Sequence, residues 1–210
     1  VDIAIREGVP AIHCEKPMAD NWGDSRLMYQ EASSNNIQLT FNHTYYRFSP
    51  TWRKGKALLD NGEIGDLQRL EMGGPNLLDS GTHMIDLCNF FNDERSVNWV
   101  IGQVDYREEF FKFGTPQDTH SLALWEYQNG VQGLASTGYS DFGDVNDCQR
   151  VLVRGTTGAI KVDPNDNLLI KKEQDLEWKN VDVDDEGHIE TGEKMTLITK
   201  KGLSQKSLAQ

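Results

Sequence analysis

The sequence lacks long hydrophobic runs and is poor in positive charge. Its longest apolar stretches are only a few residues long, whereas a membrane-spanning helix needs about 20. In 210 residues, 21 Lys and Arg stand against 33 Asp and Glu, which gives a net charge of −12. Such a chain repels phosphate backbones and anionic lipid headgroups. We therefore expect neither nucleic acid nor a membrane as a partner.

Cysteine is also scarce. The three cysteines, Cys14, Cys88 and Cys148, are odd in number, far apart and outside any Cys-x-x-Cys spacing. They fit neither a disulfide framework nor a zinc site, which indicates a reducing, cytoplasmic setting.

A phosphate-binding loop is missing as well. The 210 residues contain no Gly-x-Gly-x-x-Gly and no Walker-type loop, the two sequence patterns whose backbone N–H groups cradle phosphates. The chain starts without Met, and Val1 already belongs to a predicted helix. We interpret it as an internal part of a longer protein.

The first quarter of the chain alternates between helix and strand. The pattern predicts the end of a helix over residues 1–8, a buried strand over 9–14, a helix over 25–33 and a strand over 37–42. Asp24 is the predicted N-cap of the second helix. Its predicted buried stripe consists of Leu27, Met28 and Ala32.

The rest of the chain is predicted to be mostly antiparallel sheet. Helices are expected over 51–61 and 76–91, with a strand over 66–72 between them. Further strands are predicted over 97–106, 121–127, 131–139, 150–154, 159–162 and 168–171. Asn129-Gly130 is a strong hairpin signal, so we expect mostly meander pairing with the helices on one face. The acidic stretch over 182–193 is predicted to be a solvated hairpin or loop.

The most informative polar group lies in the predicted helix over 76–91. Asp79 and His83 are four residues apart and so share one helix face, which Asp86 joins three residues later. A carboxylate beside an imidazole fixes its tautomer and raises its basicity, as a general acid–base near neutral pH requires. The alternatives are a structural histidine satisfied in the core and, less favoured, a metal site formed by Asp79, His83, Asp86 and His43. We expect no metal.

Two further segments follow predicted strands, where open α/β sheets bind their ligands. Lys16, in Glu15-Lys16-Pro17, has an ammonium that can hydrogen-bond a substrate hydroxyl; the alternative is a simple ion pair with Glu15. His43, Tyr45 and Tyr46 offer rings and polar groups suited to a sugar-like polyol. Packing of the tyrosine rings on the next helix is the alternative.

Three motifs, in this order, resemble the Gfo/Idh/MocA oxidoreductases, the family of glucose-fructose oxidoreductase and inositol dehydrogenase. The first is Glu-Lys-Pro-Met-Ala at residues 15–19. The second combines residues 42–50 with Asn-Gly-Glu-Ile-Gly at 61–65. The third is Leu-Leu-Asp-Ser-Gly-Thr-His-Met-Ile-Asp at 77–86. The resemblance extends to about residue 164.

The resemblance implies a fold that is α/β and α+β. Residues 1–48 would be the C-terminal remnant of a Rossmann-type parallel sheet. Residues 49–210 would be a predominantly antiparallel open β-sheet domain for substrate binding and oligomerisation, with helices on one face. A homodimer or homotetramer packed through the sheet face is expected.

The resemblance also implies an NAD(P)-dependent dehydrogenase acting on a sugar or cyclitol hydroxyl. Lys16 and His83 would flank the reacting carbinol, with His83 as acid–base, and Asp79 would orient His83 or bind substrate. The nicotinamide end of the cofactor, NAD or NADP, would be shaped by Glu15, Lys16 and Pro17. The substrate-contact candidates are His43, Tyr45, Tyr46, Asp79 and His83.

The chain departs from the family at two points. It contains neither the family's phosphate-binding turn nor its closing helix. As it stands we expect it to be inactive. Two other functions remain open: a non-catalytic sugar-binding or oligomerisation module without a cofactor, and an NAD-assisted glycoside hydrolase or lyase.

Overall fold

The computed structural model describes residues 1–43, 45–105, 109–112, 114–138, 151–162, 167–183, 198–199 and 202–203. They form two compact units, Val1–His43 with Phe113–Thr115, and Thr44–Lys112 with Pro116–Gln210. The domain boundary after residue 48 stays a prediction. No helix among the described residues has the length and apolar character needed to cross a bilayer.

The first unit alternates helix and strand, as predicted. Its elements are α1 (Asp2–Arg6), β1 (Ala11–Glu15), α2 (Trp22–Ser34) and β2 (Gln38–Asn42). The two strands are parallel, from Ala11 opposite Gln38 to Glu15 opposite Asn42. A small core of Ile5, Ile12, Ala32 and Ile37 joins the helices to the strands.

Two details of this unit differ from the sequence prediction. The N-cap of α2 is Asn21, whose side-chain oxygen accepts a hydrogen bond from the Asp24 backbone N–H at 2.9 Å. Leu27 is 53% exposed, whereas Ala32 is buried, because five residues at 100° each turn the two side chains away from each other. The predicted buried strand is buried only at Ile12 and partly at Cys14.

The second unit begins with a 3-10 turn, Tyr45–Phe48, and helix α3 (Pro50–Asp60). After β3 (Leu67–Gly74), a π-helical turn, Leu77–Gly81, leads directly into α4 (Thr82–Phe91). The strands that follow are β4 (Val97–Asp105), β5 (Phe110–Lys112), β6 (Thr115–Gln117), β7 (His120–Tyr127), β8 (Gln132–Thr137), β9 (Val151–Gly155), β10 (Gly158–Val162), β11 (Leu168–Lys172), β12 (Lys179–Val181), β13 (Ile198–Thr199) and β14 (Gly202–Leu203).

Eight strands form one large sheet in the order β12-β11-β10-β9-β3-β8-β7-β4. The predicted meander pairing is correct for β7 with β8 and for β9 through β12. It is wrong at the centre, where β3 separates β8 from β9, pairing parallel with the former and antiparallel with the latter. Leu70 and Met72 on β3 are at most 3% exposed, and such a strand gains most burial in the middle of a sheet.

Helices α3 and α4 cover one face of this sheet, as predicted. The core includes Trp52 from α3, Leu87 and Phe91 from α4, and Leu70 and Val153 from the sheet. Trp52 and Phe91 meet edge to face at 6.0 Å, a favourable aromatic geometry.

One row of paired residues crosses all eight strands, and its members from Trp125 to Ile160 are buried on the helix-covered face. It is formed by Val100, Trp125, Gly133, Leu70, Val153, Ile160, Ile170 and Lys179. A side chain at position 133 would clash with its neighbour in the row, since a Cβ on Gly133 would lie 1.8 Å from the Trp125 indole.

The opposite face of the sheet is open and has two halves. Towards β4, the face is apolar, with Ile101 68% and Leu122 55% exposed. Towards β12 it is charged, and Glu71 accepts hydrogen bonds from Arg69 at 2.8 Å and Arg154 at 2.6 Å. The greater part of the predicted acidic hairpin, residues 184–193, lies outside the described residues.

Candidate active site

The candidate residues of the first unit lie at the carboxyl edge of its parallel strands. Glu15 ends β1 and Asn42 ends β2, and the Asn42 amide donates a hydrogen bond to Glu15 at 2.6 Å. Lys16 is partly buried and precedes Pro17 across a cis peptide bond. His43 follows β2 and is also partly buried. The fold thus brings Glu15, Lys16 and His43 to one edge of the strand pair, where α/β sheets place their ligands.

The candidate residues of the second unit belong to two successive helical segments. Residues 76–91, predicted as one helix, are a π-helical turn carrying Asp79 and then α4, which carries His83 in its first turn. Asn76 caps the π-helical turn, because its side-chain oxygen accepts from the backbone N–H groups of Asp79 at 3.2 Å and Ser80 at 2.9 Å.

Asp79 forms an ion pair with Lys112, the last residue of β5. The Asp79 side chain is 15% exposed and that of Lys112 is 43% exposed. Lys112 is not among the predicted site residues, and no local pattern marks it, since it lies 33 residues from Asp79 in the chain. The pair places an ammonium group beside the acidic residue of the π-helical turn.

His83 is buried, with 6% of its surface exposed. Its imidazole meets the Tyr46 ring edge to face, with the ring centroids 5.6 Å apart and an interplanar angle of 74°. The Tyr46 ring thus lies against α4, whereas the packing alternative placed it on the next helix in the chain, and its role in substrate contact stays a prediction. The side chain of Tyr45 lies outside the described residues.

Asp86, the third polar residue of the predicted helix face, forms an ion pair with Arg47. Its carboxylate accepts two hydrogen bonds from Arg47, from Nε at 2.7 Å and from Nη2 at 2.6 Å, and its carbonyl oxygen accepts a third at 3.0 Å. Arg47 also pairs with Glu94 and lies over the Phe90 ring. Burial by itself lowers the pKa of Arg47, but the hydrogen bonds to Asp86 and Glu94 outweigh it and raise the pKa.

The Arg47–Asp86 contact fixes the 3-10 turn to α4. Because Arg47 follows Tyr46 directly and Asp86 is one helical turn from His83, the ion pair holds the tyrosine ring against the imidazole. An imidazole can both accept and donate a proton, which is the property that a general acid–base needs. The second unit thus carries a carboxylate on its π-helical turn, an imidazole on α4 and, on β5, an ammonium group paired with that carboxylate.

Neither of the other two described histidines shares this environment. His13 is exposed on β1 and its Nδ1 lies 2.9 Å from the Thr40 hydroxyl. His120 begins β7, where its Nδ1 lies 3.9 Å from an Asp105 carboxylate oxygen. Among the described residues, no three His, Cys, Asp or Glu side chains are arranged to hold a metal ion.

Comparison of the chain with protein-family models gives no match. Inositol 2-dehydrogenase from Gluconacetobacter diazotrophicus is 30% identical over 144 residues, which are 61% of this chain and 41% of that protein. The resemblance found in the motifs is therefore confirmed by overall sequence similarity.

Solved structures share the fold. An inositol dehydrogenase homolog from Azotobacter vinelandii, complexed with NADH and myo-inositol, superposes with a TM-score of 0.67 at 19% identity, covering 85% of this chain and 51% of that one. The chain has the fold of the Gfo/Idh/MocA oxidoreductases. An oxidoreductase from Agrobacterium radiobacter, in complex with NAD+, L-tartaric acid and magnesium, gives 0.63 at 18% identity, covering 87% and 56%.

The chain thus spans about half the length of the Gfo/Idh/MocA oxidoreductases with which it superposes, and two fifths of its curated relative. The predicted fold class, a parallel α/β segment followed by a mostly antiparallel sheet with helices on one face, is confirmed. The individual roles of Lys16, Asp79 and His83 stay predictions.

Proposed function

We propose that the protein is an NAD(P)-dependent oxidoreductase that transfers hydride between a nicotinamide cofactor and a hydroxyl-bearing carbon of a sugar or cyclitol. The observation that carries the proposal is the buried His83 imidazole at the start of α4, directly after the capped turn that holds Asp79. The inositol 2-dehydrogenase relative and the structural neighbour with bound NADH and myo-inositol support the substrate and cofactor classes.

His83 is the general acid–base. In the oxidative direction a ring nitrogen of His83 accepts the substrate hydroxyl proton as the carbon loses hydride, and in the reductive direction it returns that proton to the carbonyl oxygen. The edge contact with Tyr46 keeps the ring in one orientation. A fixed ring lowers the entropy that must be lost before proton transfer.

Asp79 and Lys16 have supporting roles in this proposal. Asp79, paired with Lys112, binds a second substrate hydroxyl or orients His83. Lys16, at the end of β1, polarises the reacting oxygen and stabilises its alkoxide character; this role rests on the motif resemblance. His43, Tyr45 and Tyr46 are the further substrate contacts.

The residues at the carboxyl edge of β1 fit a nicotinamide cofactor. Glu15, Lys16 and Pro17 follow a strand of a parallel pair, and the exposed Glu15 and Pro17 leave that edge accessible, which is the geometry that dinucleotide-binding sheets use. When bound, NAD or NADP supplies the hydride acceptor or donor. These three residues would hold its nicotinamide end.

The direct test is turnover by the complete gene product. NAD+ or NADP+ is supplied with a panel of polyols that includes myo-inositol, and reduced cofactor is followed at 340 nm. His83→Gln should lower kcat/KM by about 100-fold or more, since it removes the acid–base group, and Lys16→Met should also impair turnover. His13→Gln and Lys54→Met, at exposed positions, are the matched controls and should leave turnover unchanged. Full activity of His83→Gln on every polyol would overturn the proposal.

A binding measurement and a product analysis separate the proposal from its alternatives. Enhanced NADH fluorescence on titration with the protein counts against a non-catalytic sugar-binding module. Product analysis with a glycoside and bound cofactor distinguishes a dehydrogenase, which leaves the glycosidic bond intact, from an NAD-assisted hydrolase or lyase.

The open sheet face is the proposed surface of a homodimer or homotetramer. Its apolar half includes Ile101, Leu122 and Leu124, and its charged half pairs Glu71 with two arginines. A second copy, turned by a two-fold axis, would cover the apolar residues with their own equivalents. Light scattering should show an oligomer that Leu122→Glu dissociates, and a monomeric mass for the unaltered protein would contradict it. The free thiols Cys14 and Cys88 support the proposed cytoplasmic location.

A further inference from the structure

Asp118 is a buried carboxylate in the short connection between β6 and β7. It is 5% exposed, and its oxygens accept hydrogen bonds from two backbone N–H groups of the π-helical turn. Leu77 donates to both oxygens, at 2.9 and 2.7 Å, and Leu78 donates to Oδ1 at 3.0 Å. Asp118 therefore caps a helical segment that begins about 40 residues earlier in the chain.

Asn76 and Asp118 divide the first four N–H groups of the turn between them. Asp118 takes those of Leu77 and Leu78, and the Asn76 side chain takes those of Asp79 and Ser80. The first four N–H groups of any helix have no partner within the helix. Here each has an oxygen partner, so the position of the turn is set by hydrogen bonds at its N-terminus.

The same carboxylate is attached to the sheet. Asp118 Oδ2 also accepts from the hydroxyl groups of Ser121 on β7, at 2.8 Å, and Thr137 on β8, at 3.2 Å. Both hydroxyl-bearing residues are themselves buried, at 4% and 1% exposure. The turn that carries Asp79, and α4 which continues from it, are thereby fastened to two neighbouring strands through one side chain.

We propose that Asp118 is a positioning residue that fixes the location of Asp79 and His83 for the reaction. This inference rests on the proposed function, because it assigns Asp118 an effect on turnover through those two residues. Displacements of about 1 Å at reacting groups can cost two orders of magnitude in rate. Asp118→Ala should therefore lower kcat at least tenfold in the complete gene product and change KM less than threefold.

Asp118→Asn should rescue part of that loss. The amide oxygen can accept from both Leu77 and Leu78, as Oδ1 does now, and the Ser121 and Thr137 hydroxyl groups can rotate to accept from the amide NH2. The rescue is incomplete because the NH2 group replaces Oδ2, which now accepts from the Leu77 N–H at 2.7 Å. A role that depended on the negative charge alone would not be rescued. We expect kcat of Asp118→Asn within about fivefold of the unaltered protein.

Amide hydrogen exchange tests the cap without reference to activity. In Asp118→Ala the amides of Leu77 and Leu78 should exchange at least tenfold faster, since they lose hydrogen bonds to a charged acceptor, while those of Asp79 and Ser80 stay protected. Asn76→Ala is the matched variant and should reverse the pattern. If Asp118→Ala does not fold, Asp118→Ser, whose hydroxyl is too short to reach both amides, replaces it with the same expectation.

The outcomes separate this inference from the proposed function. Unchanged protection of Leu77 and Leu78, uniformly faster exchange throughout β7 and β8, or a kcat unaffected by Asp118→Ala would each overturn the positioning role while His83→Gln remains impaired. Full turnover by His83→Gln would instead overturn the proposed function, and the positioning role with it, even if the exchange pattern appears as expected.

Discussion

Replacing Asp86 with Ala should strongly destabilise the second unit. The substitution removes two of the three hydrogen bonds that Arg47 donates to this residue and leaves the one to the backbone carbonyl. The side chains of Arg47 and Asp86 are only 20% and 9% exposed, so the guanidinium is left with little water to replace its lost partner. Arg47 does keep its contact with Glu94.

The magnitude follows from these contacts. Hydrogen bonds to charged groups contribute about 1.5–3 kcal/mol each, and removing one partner of a buried pair costs about 3–5 kcal/mol. Because Glu94 retains part of the charge compensation, we expect a loss of about 3 kcal/mol in the free energy of unfolding. That is a large share of the roughly 5–15 kcal/mol typical of a domain.

Urea denaturation followed by tryptophan fluorescence measures this loss. Urea is uncharged and leaves the ion pair unscreened, whereas guanidinium is a salt and would screen it. A double-mutant cycle with Arg47→Met isolates the pair, and the double variant should be more stable than Asp86→Ala alone. Lys172→Met is the control. It breaks an ion pair with Glu63 in which both side chains are about 40% exposed, and exposed pairs contribute little to stability. A loss below about 1 kcal/mol in Asp86→Ala, or strictly additive single variants, would refute the reasoning.

Three further experiments test other parts of the second unit. Burial alone raises the pKa of Glu71, but Arg154 and Arg69 outweigh burial and hold this pKa below its usual 4.5. The ionised Glu71 therefore stabilises the fold above pH 4.5, and this stabilisation is lost as the pH falls through the lower pKa of the folded state. Glu71→Gln should flatten the decline of the urea midpoint below about pH 4.5. Burial, aided by the Asp86 charge, raises the pKa of the Cys88 thiol, and a buried thiol with a raised pKa reacts poorly. In a variant with Cys14 and Cys148 replaced by Ser, iodoacetamide should therefore label the protein only in denaturing urea. Labelling of the native state would contradict this. Gly133→Ala forces a Cβ into the Trp125 indole and should lower the free energy of unfolding by about 1–3 kcal/mol, and an unchanged urea midpoint would show that the ring is not held there.

The elements that the sequence predicted correctly are those with strong local signals. The hairpin at Asn129-Gly130 is an example, because Gly130 adopts φ +84°, which is unfavourable for most residues and easy for glycine. The apolar spacing and the Gly and Pro breaks likewise placed β3 and α3 within one or two residues of their observed bounds. Each of these signals lies within the segment that it specifies.

The errors concern interactions between segments far apart in the chain. A period of 3.6 predicts a continuous helix from residue 76 and does not identify a distant partner for Asp86. The structure has a π-helical turn at that helix start, where Asp118 and Asn76 serve as caps, and the Asp86 side chain is bound by Arg47, 39 residues earlier. Lys112 was missed for the same reason. Local periodicity carries no information about a partner tens of residues away.

The central position of β3 also governs how this sheet can assemble during folding. Leu70 pairs with Gly133 on one side and with Val153 on the other. Forming these two pairs closes loops of roughly 60 and 80 residues. The entropy of loop closure is lost before the new contacts can stabilise the chain. Hairpins such as β7–β8 and β9–β10 need only short closures and can form within microseconds. The two halves of the sheet can therefore form independently and must wait for β3 to join them, a topology of high contact order that folds slowly. Until that step the edges of β8 and β9 are unpaired, and association of such edges between chains is the main hazard of its folding.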